Sequence, residues 1–172
     1  TRSTMALYGE QRRKVQRAYY SYGKRCRDDL GKVLADQGRK LEDISSLLEF
    51  PSGYGRVTRF IVTKLPAARG TGSDIEPSAV AMNSRTFGTS PLVSSQHPDQ
   101  FKCENLFEVV FAGMIFSHFS IDVWHLWLKR LYDLLEPSGL LVFSTMGPGL
   151  LPAEDPESYL LDPDGFWFCE DN

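Results

Sequence analysis

Residues 47–56, LLEFPSGYGR, decide the fold of this chain. In this stretch an apolar run ends in the acidic residue Glu49, and a glycine pair at G-x-G spacing, Gly53 and Gly55, follows. Glycine at such positions permits left-handed backbone dihedrals and a close approach of backbone to a ligand, because there is no Cβ to clash. The stretch therefore predicts a strand that turns into a helix around a nucleoside or nucleotide.

The composition is that of an ordinary globular domain. The chain has 172 residues, of which 42% are hydrophobic and 24% charged, so a single core is expected. Its richest apolar stretch, 107–128, is broken by charged and histidine side chains, which argues against a membrane span. The N-terminal region lacks the apolar segment of a secretory signal, and a cytoplasmic location is the expectation.

The three cysteines, Cys26, Cys103 and Cys169, are far apart and form no C-x-x-C pair. We expect them to be reduced and expect no metal site. The first 43 residues are rich in Lys and Arg, whereas the chain after Met146 carries acids only. The basic residues alternate with apolar ones at helical spacing, which favours a solvated helical face over a nucleic-acid site.

The pattern along the chain alternates short apolar runs with amphipathic stretches. Helical spacing covers 11–37, with Gly23 and Gly31 as expected breaks between short helices. Strands are predicted at 46–50, 71–75, 92–94, 108–113 and 140–145, and helices at 55–65, 77–87 and 121–135, with a turn at 137–139 before the last strand. The alternation predicts a doubly wound α/β domain with a mostly parallel sheet and helices on both faces. We divide it into a helical leader, 1–43, and a Rossmann-like cofactor-binding region, 44–172.

Asp74 ends the second predicted strand, about 20 residues after the glycine pair, where such domains place an acid that binds ribose hydroxyls. The same carboxylate is also placed to cap the helix that begins at Pro77, and the two roles are compatible. A dinucleotide fingerprint would have a third glycine at position 58, but Thr58 stands there. The ligand is therefore expected to carry a ribose but not to need a pyrophosphate site.

Four segments in order, LLEFPSGYGRVTRFI, GSDIEPSAVAMN, FEVVFAGMIFSHFS and LLEPSGLLVFSTMG, resemble motifs of the class I S-adenosylmethionine-dependent methyltransferases. The resemblance covers about residues 44–147. It implies S-adenosylmethionine as cofactor, S-adenosylhomocysteine as product and a small-molecule methyl acceptor. The chain departs from the family pattern at three positions: Pro51 replaces the first glycine of the loop, Glu108 stands where Asp is common, and Ser138 replaces a glycine of the last turn.

The resemblance also implies roles for individual residues. Glu49 would anchor the glycine loop near the cofactor's amino group, and Pro51, Gly53 and Gly55 would form that loop. Asp74 would bind the ribose, Ile75 would pack against adenine, and Gln96 would contact the adenine amine. The methyl-transfer side would be lined by Ala112, Gly113 and Met114.

After the fifth predicted strand only about 25 residues remain, whereas the family continues with a further helix and an antiparallel hairpin. The C-terminal strands are therefore expected to be incomplete in this chain. For catalysis, His118 is the candidate general base for an oxygen or nitrogen acceptor, with packing at the strand-helix junction as its alternative role. The predicted function is a small-molecule methyltransferase. The alternatives are a non-catalytic binding module on the same fold and, disfavoured by Thr58, a nicotinamide-dependent oxidoreductase.

Overall fold

The computed structural model describes residues 2–145, with side chains from residue 11 onward. Five strands and four α-helices make up this part: α1 Arg2–Asp36, β1 Leu47–Glu49, α2 Thr58–Ile61, β2 Gly70–Asp74, α3 Pro77–Phe87, β3 Ser90–Val93, β4 Phe107–Ala112, α4 Ile121–Tyr132 and β5 Leu135–Phe143.

The strands form one sheet in the order β3-β2-β1-β4-β5, and every adjacent pair is parallel. Leu48 at the centre pairs with Thr71 of β2 on one side and Val110 of β4 on the other. Because the strand order reverses at β1, the carboxyl ends of β1 and β4 bound a crevice in which ligands of open α/β sheets bind. The predicted doubly wound fold is confirmed.

The two faces of the sheet carry separate apolar cores, as the period of two along a strand requires. On one face Leu48 and Val110 pack in a cluster with Trp127 of α4. On the other face Leu47 and Val109 pack with a cluster that includes Leu34 of α1. The C-terminal half of α1 is therefore part of the core on this second face of the sheet.

The expected breaks at Gly23 and Gly31 are wrong, because α1 is continuous from Arg2 to Asp36. Gly23 lies where the helix touches the loop after β1, and an added Cβ would overlap the carbonyl oxygen of Arg56. Gly31 has no atom within 4 Å of such a Cβ. At position 23 glycine thus permits close packing of the helix, and its weak helix propensity is overridden by the tertiary contacts of α1.

Two further element predictions need correction. The helix predicted at 55–65 is reduced to Thr58–Ile61, because Gly55 has a φ of 71° and keeps the first turn from being helical. The turn predicted at 137–139 lies inside β5, where the register with β4 shifts between Phe107 and Val109. Ser138 has a φ of 67° in this irregular segment, and its carbonyl accepts a hydrogen bond from the Arg39 guanidinium.

Glu108 lies at the amino end of β4, at the end of the strands opposite the crevice. Its carboxylate accepts hydrogen bonds from the backbone N–H and the hydroxyl of Ser45, both at 2.8 Å, and lies 3.5 Å from the Arg39 guanidinium. Burial alone would raise the pKa of Glu108, but the Ser45 hydrogen bonds and the Arg39 charge outweigh it and lower the pKa. The acid that replaces the family's aspartate thus ties β4 to the segment that leads into β1.

Within residues 2–145 no helix is both long and apolar enough to cross a membrane. The same residues contain no group of three or more His, Cys, Asp or Glu side chains arranged to hold a metal ion. Cys26 and Cys103 are free thiols, and Cys169 lies outside the described residues.

Candidate cofactor and acceptor site

A cavity of about 430 Å³ opens at the carboxyl ends of β1 and β4. Three parts of the chain enclose it: the glycine loop that follows β1, the loop that follows β4, and the middle of α1. Its lining residues are Tyr19, Cys26, Glu49, Pro51, Ser52, Gly53, Tyr54, Arg56, Val57, Gly113, Met114, Ile115 and His118.

The glycine loop is held by side chains from the second β-α unit. Gly53 has a φ of 49°, and its N–H donates to Oδ2 of Asp74 at 2.7 Å. The amide of Asn83 on α3 donates to the Gly53 carbonyl at 2.8 Å and to the Ser52 hydroxyl at 3.0 Å. These contacts fix the backbone of the loop before any ligand arrives.

Gly55 faces away from the cavity, against α3. A Cβ at this position would lie 2.5 Å from Oδ1 of Asn83 and would overlap the ring of Phe87. With a φ of 71° as well, position 55 excludes other side chains for both steric and conformational reasons. Gly53 and Gly55 therefore do different things: Gly53 lines the cavity, and Gly55 lets the loop pack on α3.

Glu49 is 3% exposed at the inner end of the cavity, and its Oε2 accepts a 2.7 Å hydrogen bond from the hydroxyl of Thr58. Burial raises the pKa of Glu49 to about 8, and the nearby charge of Asp74 adds to this, although the Thr58 hydrogen bonds oppose it. Without a ligand Glu49 is mostly protonated at neutral pH. A cationic group placed beside it would favour the ionised form.

The leader helix contacts the glycine loop through aromatic and cationic side chains. The Tyr19 hydroxyl donates to the Tyr54 carbonyl at 3.2 Å. The Arg59 guanidinium donates from Nε to the Gly55 carbonyl at 2.7 Å and lies 4.9 Å from the centre of the Tyr20 ring. Tyr19 and Tyr20 of the leader thus support the glycine loop from outside, and Tyr19 also lines the cavity.

The loop after β4 forms the other wall. Met114 has a φ of 62°, and its N–H donates a 2.8 Å hydrogen bond to the hydroxyl of Ser144 after β5. His118 lies on the short 3-10 turn that follows and is exposed where it lines the cavity. The side chain of Ala112 does not reach this wall, because the alternation along β4 turns it into the core with Trp127.

The other predicted cofactor residues lie beside the cavity. Asp74 is 8% exposed, and its Oδ1 accepts the N–H of Glu76 at 3.0 Å. The N-terminus of α3 is capped by the side chain of Glu76, which accepts from the N–H of Ser78. Ile75 is 55% exposed at the end of β2, and Gln96 is exposed after β3; neither lines the cavity.

Several residues of the site were not predicted from the sequence: Cys26, Ser52, Arg56, Arg59 and Asn83. Asn83 is fully buried on α3, and a polar residue on the apolar face of that helix was a signal that could have pointed to it. The others act through tertiary contacts. Cys26 has a pKa raised mainly by burial, so its thiol is less ionised than a free one.

A family model described as "Methyltransferase domain" matches residues 48–141, more than half of the chain. The malonyl-[acyl-carrier protein] O-methyltransferase of Priestia megaterium is 28% identical over 106 residues, which cover 60% of this chain and 38% of that protein. The chain therefore corresponds to little more than a third of that relative.

Solved structures share the fold. The sugar N-methyltransferase KedS8 from Streptoalloteichus sp. superposes with a TM-score of 0.60 at 19% identity, covering 84% of this chain and 56% of its own. CalS10 from Micromonospora echinaspora, an amino pentose methyltransferase solved with S-adenosylmethionine bound, gives a TM-score of 0.58 at 17% identity, covering 82% and 56%. At these identities the likeness concerns the fold.

Proposed function

Because the chain belongs to the methyltransferase domain family, we propose that it transfers a methyl group from S-adenosylmethionine to an oxygen or nitrogen of a small molecule. The observation that carries the proposal is the preformed glycine loop, whose amide and carbonyl groups are fixed by Asp74 and Asn83 at the rim of a cavity that Glu49 closes. Relatives that act on a carrier-bound malonyl group and on an amino sugar are consistent with a small acceptor.

The residues fit this cofactor. The cavity reaches the buried acid Glu49, which in ionised form would bind the ammonium group of the cofactor. A Cβ at Gly53 would meet no atom within 4 Å, so glycine leaves that space to a ligand. Asp74 and the exposed Ile75 lie at the end of β2, where the ribose and adenine would bind, and Gln96 is the proposed contact of the adenine amine.

When bound, the cofactor supplies an electrophilic methyl group, and the tasks of the protein are to align the acceptor and to exclude water. The glycine loop and Glu49 hold the donor side of the cavity. The loop after β4, with Gly113 and Met114, forms the acceptor side. His118 on that side is the proposed base for an acceptor that must lose a proton.

The nicotinamide alternative finds no support at position 58. A third glycine would leave room for a pyrophosphate at the helix N-terminus, whereas Thr58 is 1% exposed and its hydroxyl is engaged by Glu49. The segment that follows the glycine pair is also a helix of only four residues.

Calorimetric titration with S-adenosylhomocysteine tests the proposal, with Gly53→Ala and Gly38→Ala as a matched pair. Both glycines have positive φ, 49° and 70°, and neither has an atom within 4 Å of an added Cβ. Each substitution should therefore lower stability similarly, by about 1 kcal/mol. Gly38 follows α1 and does not line the cavity, so only Gly53→Ala should weaken binding.

A wild-type chain that does not bind S-adenosylhomocysteine would refute the proposed cofactor. Equal affinities in the two alanine variants would refute the placement of the cofactor at the glycine loop. Titration with NAD and NADP completes the comparison, since tight binding of either one would favour the oxidoreductase.

A further inference from the structure

The cavity contains one cation, Arg56, that has no acidic partner among residues 11–145. No carboxylate of these residues lies within 4.0 Å of its guanidinium. The guanidinium carbon lies 4.8 Å from the centre of the Tyr19 ring and 5.8 Å from that of Tyr22, and Nη1 is 3.9 Å from Sδ of Met114. The acid in the lining, Glu49, is buried and engaged with Thr58.

Arg56 differs in this respect from its neighbour Arg59. The N–H groups of Arg59 donate hydrogen bonds to the carbonyls of Gly55 and Tyr54. The Arg56 side chain makes no hydrogen bond to an oxygen of the described residues. The faces of the Tyr19 and Tyr22 rings hold its guanidinium and leave the N–H groups available to an acceptor. An arginine with an open fork matches the two oxygens of a carboxylate better than it matches a neutral or cationic group.

The position of Arg56 associates it with the acceptor. Its guanidinium contacts Met114, in the loop after β4, and this loop is fixed by the hydrogen bond to Ser144. The ribose and adenine positions at Asp74 and Ile75 lie outside the cavity that Arg56 lines. Resting on the methyl transfer proposed above, we infer that the acceptor is a carboxylic acid, held by Arg56 through its carboxylate and methylated on that carboxylate.

The reaction balances without a base. One carboxylate oxygen stays on the guanidinium, and the other donates an electron pair to the sulfonium methyl carbon. The bond between that carbon and sulfur breaks, and sulfur keeps its electrons, so the products are a methyl ester and the neutral thioether S-adenosylhomocysteine. No proton is transferred, so this step needs no base.

The first test measures the binding of candidate acceptors to the 172-residue chain saturated with S-adenosylhomocysteine. Size-matched probes that differ in one group, hexanoate, hexylamine and hexan-1-ol, are titrated by calorimetry, followed by other straight-chain acids from acetate to decanoate. Hexanoate or another acid should bind, and the amine and alcohol should not. Arg56→Ala should weaken binding of the acid by about ten- to a hundredfold, as expected for loss of a charge-assisted hydrogen bond, and Arg56→Lys by less.

The control variant is Arg85→Ala, which removes an exposed arginine of α3 that does not line the cavity. It should bind the acid as the wild type does. In Arg56→Ala the affinity for S-adenosylhomocysteine should stay within about twofold of wild type, which also shows that the variant is folded.

Turnover with methyl-tritiated S-adenosylmethionine gives the second readout. The acid series should yield label that alkali releases as methanol, the signature of an ester. Alkali-stable label on the amine would overturn the inference, as would preferential binding of the amine or alcohol. A series in which no acid binds would overturn it too while leaving the methyl-transfer proposal standing.

A tenfold or greater loss of S-adenosylhomocysteine affinity in Arg56→Ala would also overturn the inference, because Arg56 would then hold the carboxylate of the cofactor. Failure of the wild-type chain to bind S-adenosylhomocysteine would instead refute methyl transfer itself, and the acceptor assignment with it.

Discussion

Glu49 should make the folded chain less stable as the pH rises, and Glu49→Gln should remove this dependence. An unfolded chain releases the proton of a glutamate near the ordinary pKa of 4.5, whereas burial keeps it on Glu49 up to about pH 8 in the folded chain. Between these values unfolding releases a proton, so the free energy of unfolding falls by about 1.4 kcal/mol for each pH unit.

The full effect corresponds to about 5 kcal/mol between acid solution and pH values above 8, of which about 3 kcal/mol is already lost at pH 7. The stabilisation contributed by protonated Glu49 is fully present below pH 4.5. It falls between pH 4.5 and the folded pKa of about 8, and it is absent above that value. The amide introduced by Glu49→Gln does not titrate, and its carbonyl can still accept the hydrogen bond of Thr58. The cost of burying this amide is the same at every pH, so the slope and not the absolute stability is the diagnostic quantity.

Urea unfolding of the ligand-free chain at half-unit steps from about pH 5.5 to about pH 8.5 measures the slope across the range in which only the folded chain keeps the proton. All other titratable groups are common to the wild type and the variant, so the difference between the two curves isolates Glu49. Glu108→Gln is the control, because the pKa of Glu108 is lowered and its titration lies below the range. Parallel curves for the wild type and Glu49→Gln would refute the assignment of a protonated, buried Glu49.

Gly23→Ala should lower the free energy of unfolding by about 2 kcal/mol or more in urea unfolding, because its Cβ would overlap the carbonyl of Arg56. Gly31→Ala in the same helix is the control, and it should leave the free energy of unfolding unchanged or raise it by up to about 1 kcal/mol. Glu108→Gln should lower the free energy of unfolding at pH 7 by about 2 kcal/mol, because the charge-assisted hydrogen bonds at the amino end of β4 are weakened. Urea unfolding measures this too, and an unchanged midpoint would contradict it. Binding of S-adenosylhomocysteine at pH 7 should release close to one proton in wild type and none in Glu49→Gln, as calorimetry in buffers of different ionisation enthalpy will show, and equal release in both chains would mean that the ammonium group lies elsewhere.

The sheet could be predicted from the sequence because its signals are local. The apolar runs at β1 and β4, and Pro77 at the first turn of α3, gave those elements within a residue or two of their observed bounds. Asp74 and Gly53 were predicted as site residues from their spacing, and the structure joins them by a hydrogen bond.

What escaped prediction depends on contacts between distant parts of the chain. Gly23 resembles a helix break until the backbone of Arg56 is placed against it. The hydrogen bond from the Asn83 amide to the Gly53 carbonyl joins residues 30 positions apart, and no spacing rule connects them. Ala112 was assigned to the cavity from its place in a motif, but which face of β4 it occupies is settled by the packing of Trp127.

The hydrogen bonds of Asp74 have a consequence for ligand discrimination. Both carboxylate oxygens already accept backbone N–H groups, from Gly53 and Glu76, so the remaining lone pairs can meet only another hydrogen-bond donor. A ribose diol satisfies this condition, whereas a ribose whose hydroxyl is phosphorylated or methylated would bring a negative charge or an acceptor against the carboxylate. With the ribose at Asp74 as proposed above, adenosine derivatives with free ribose hydroxyls should bind, and their phosphorylated or O-methylated forms should bind more weakly.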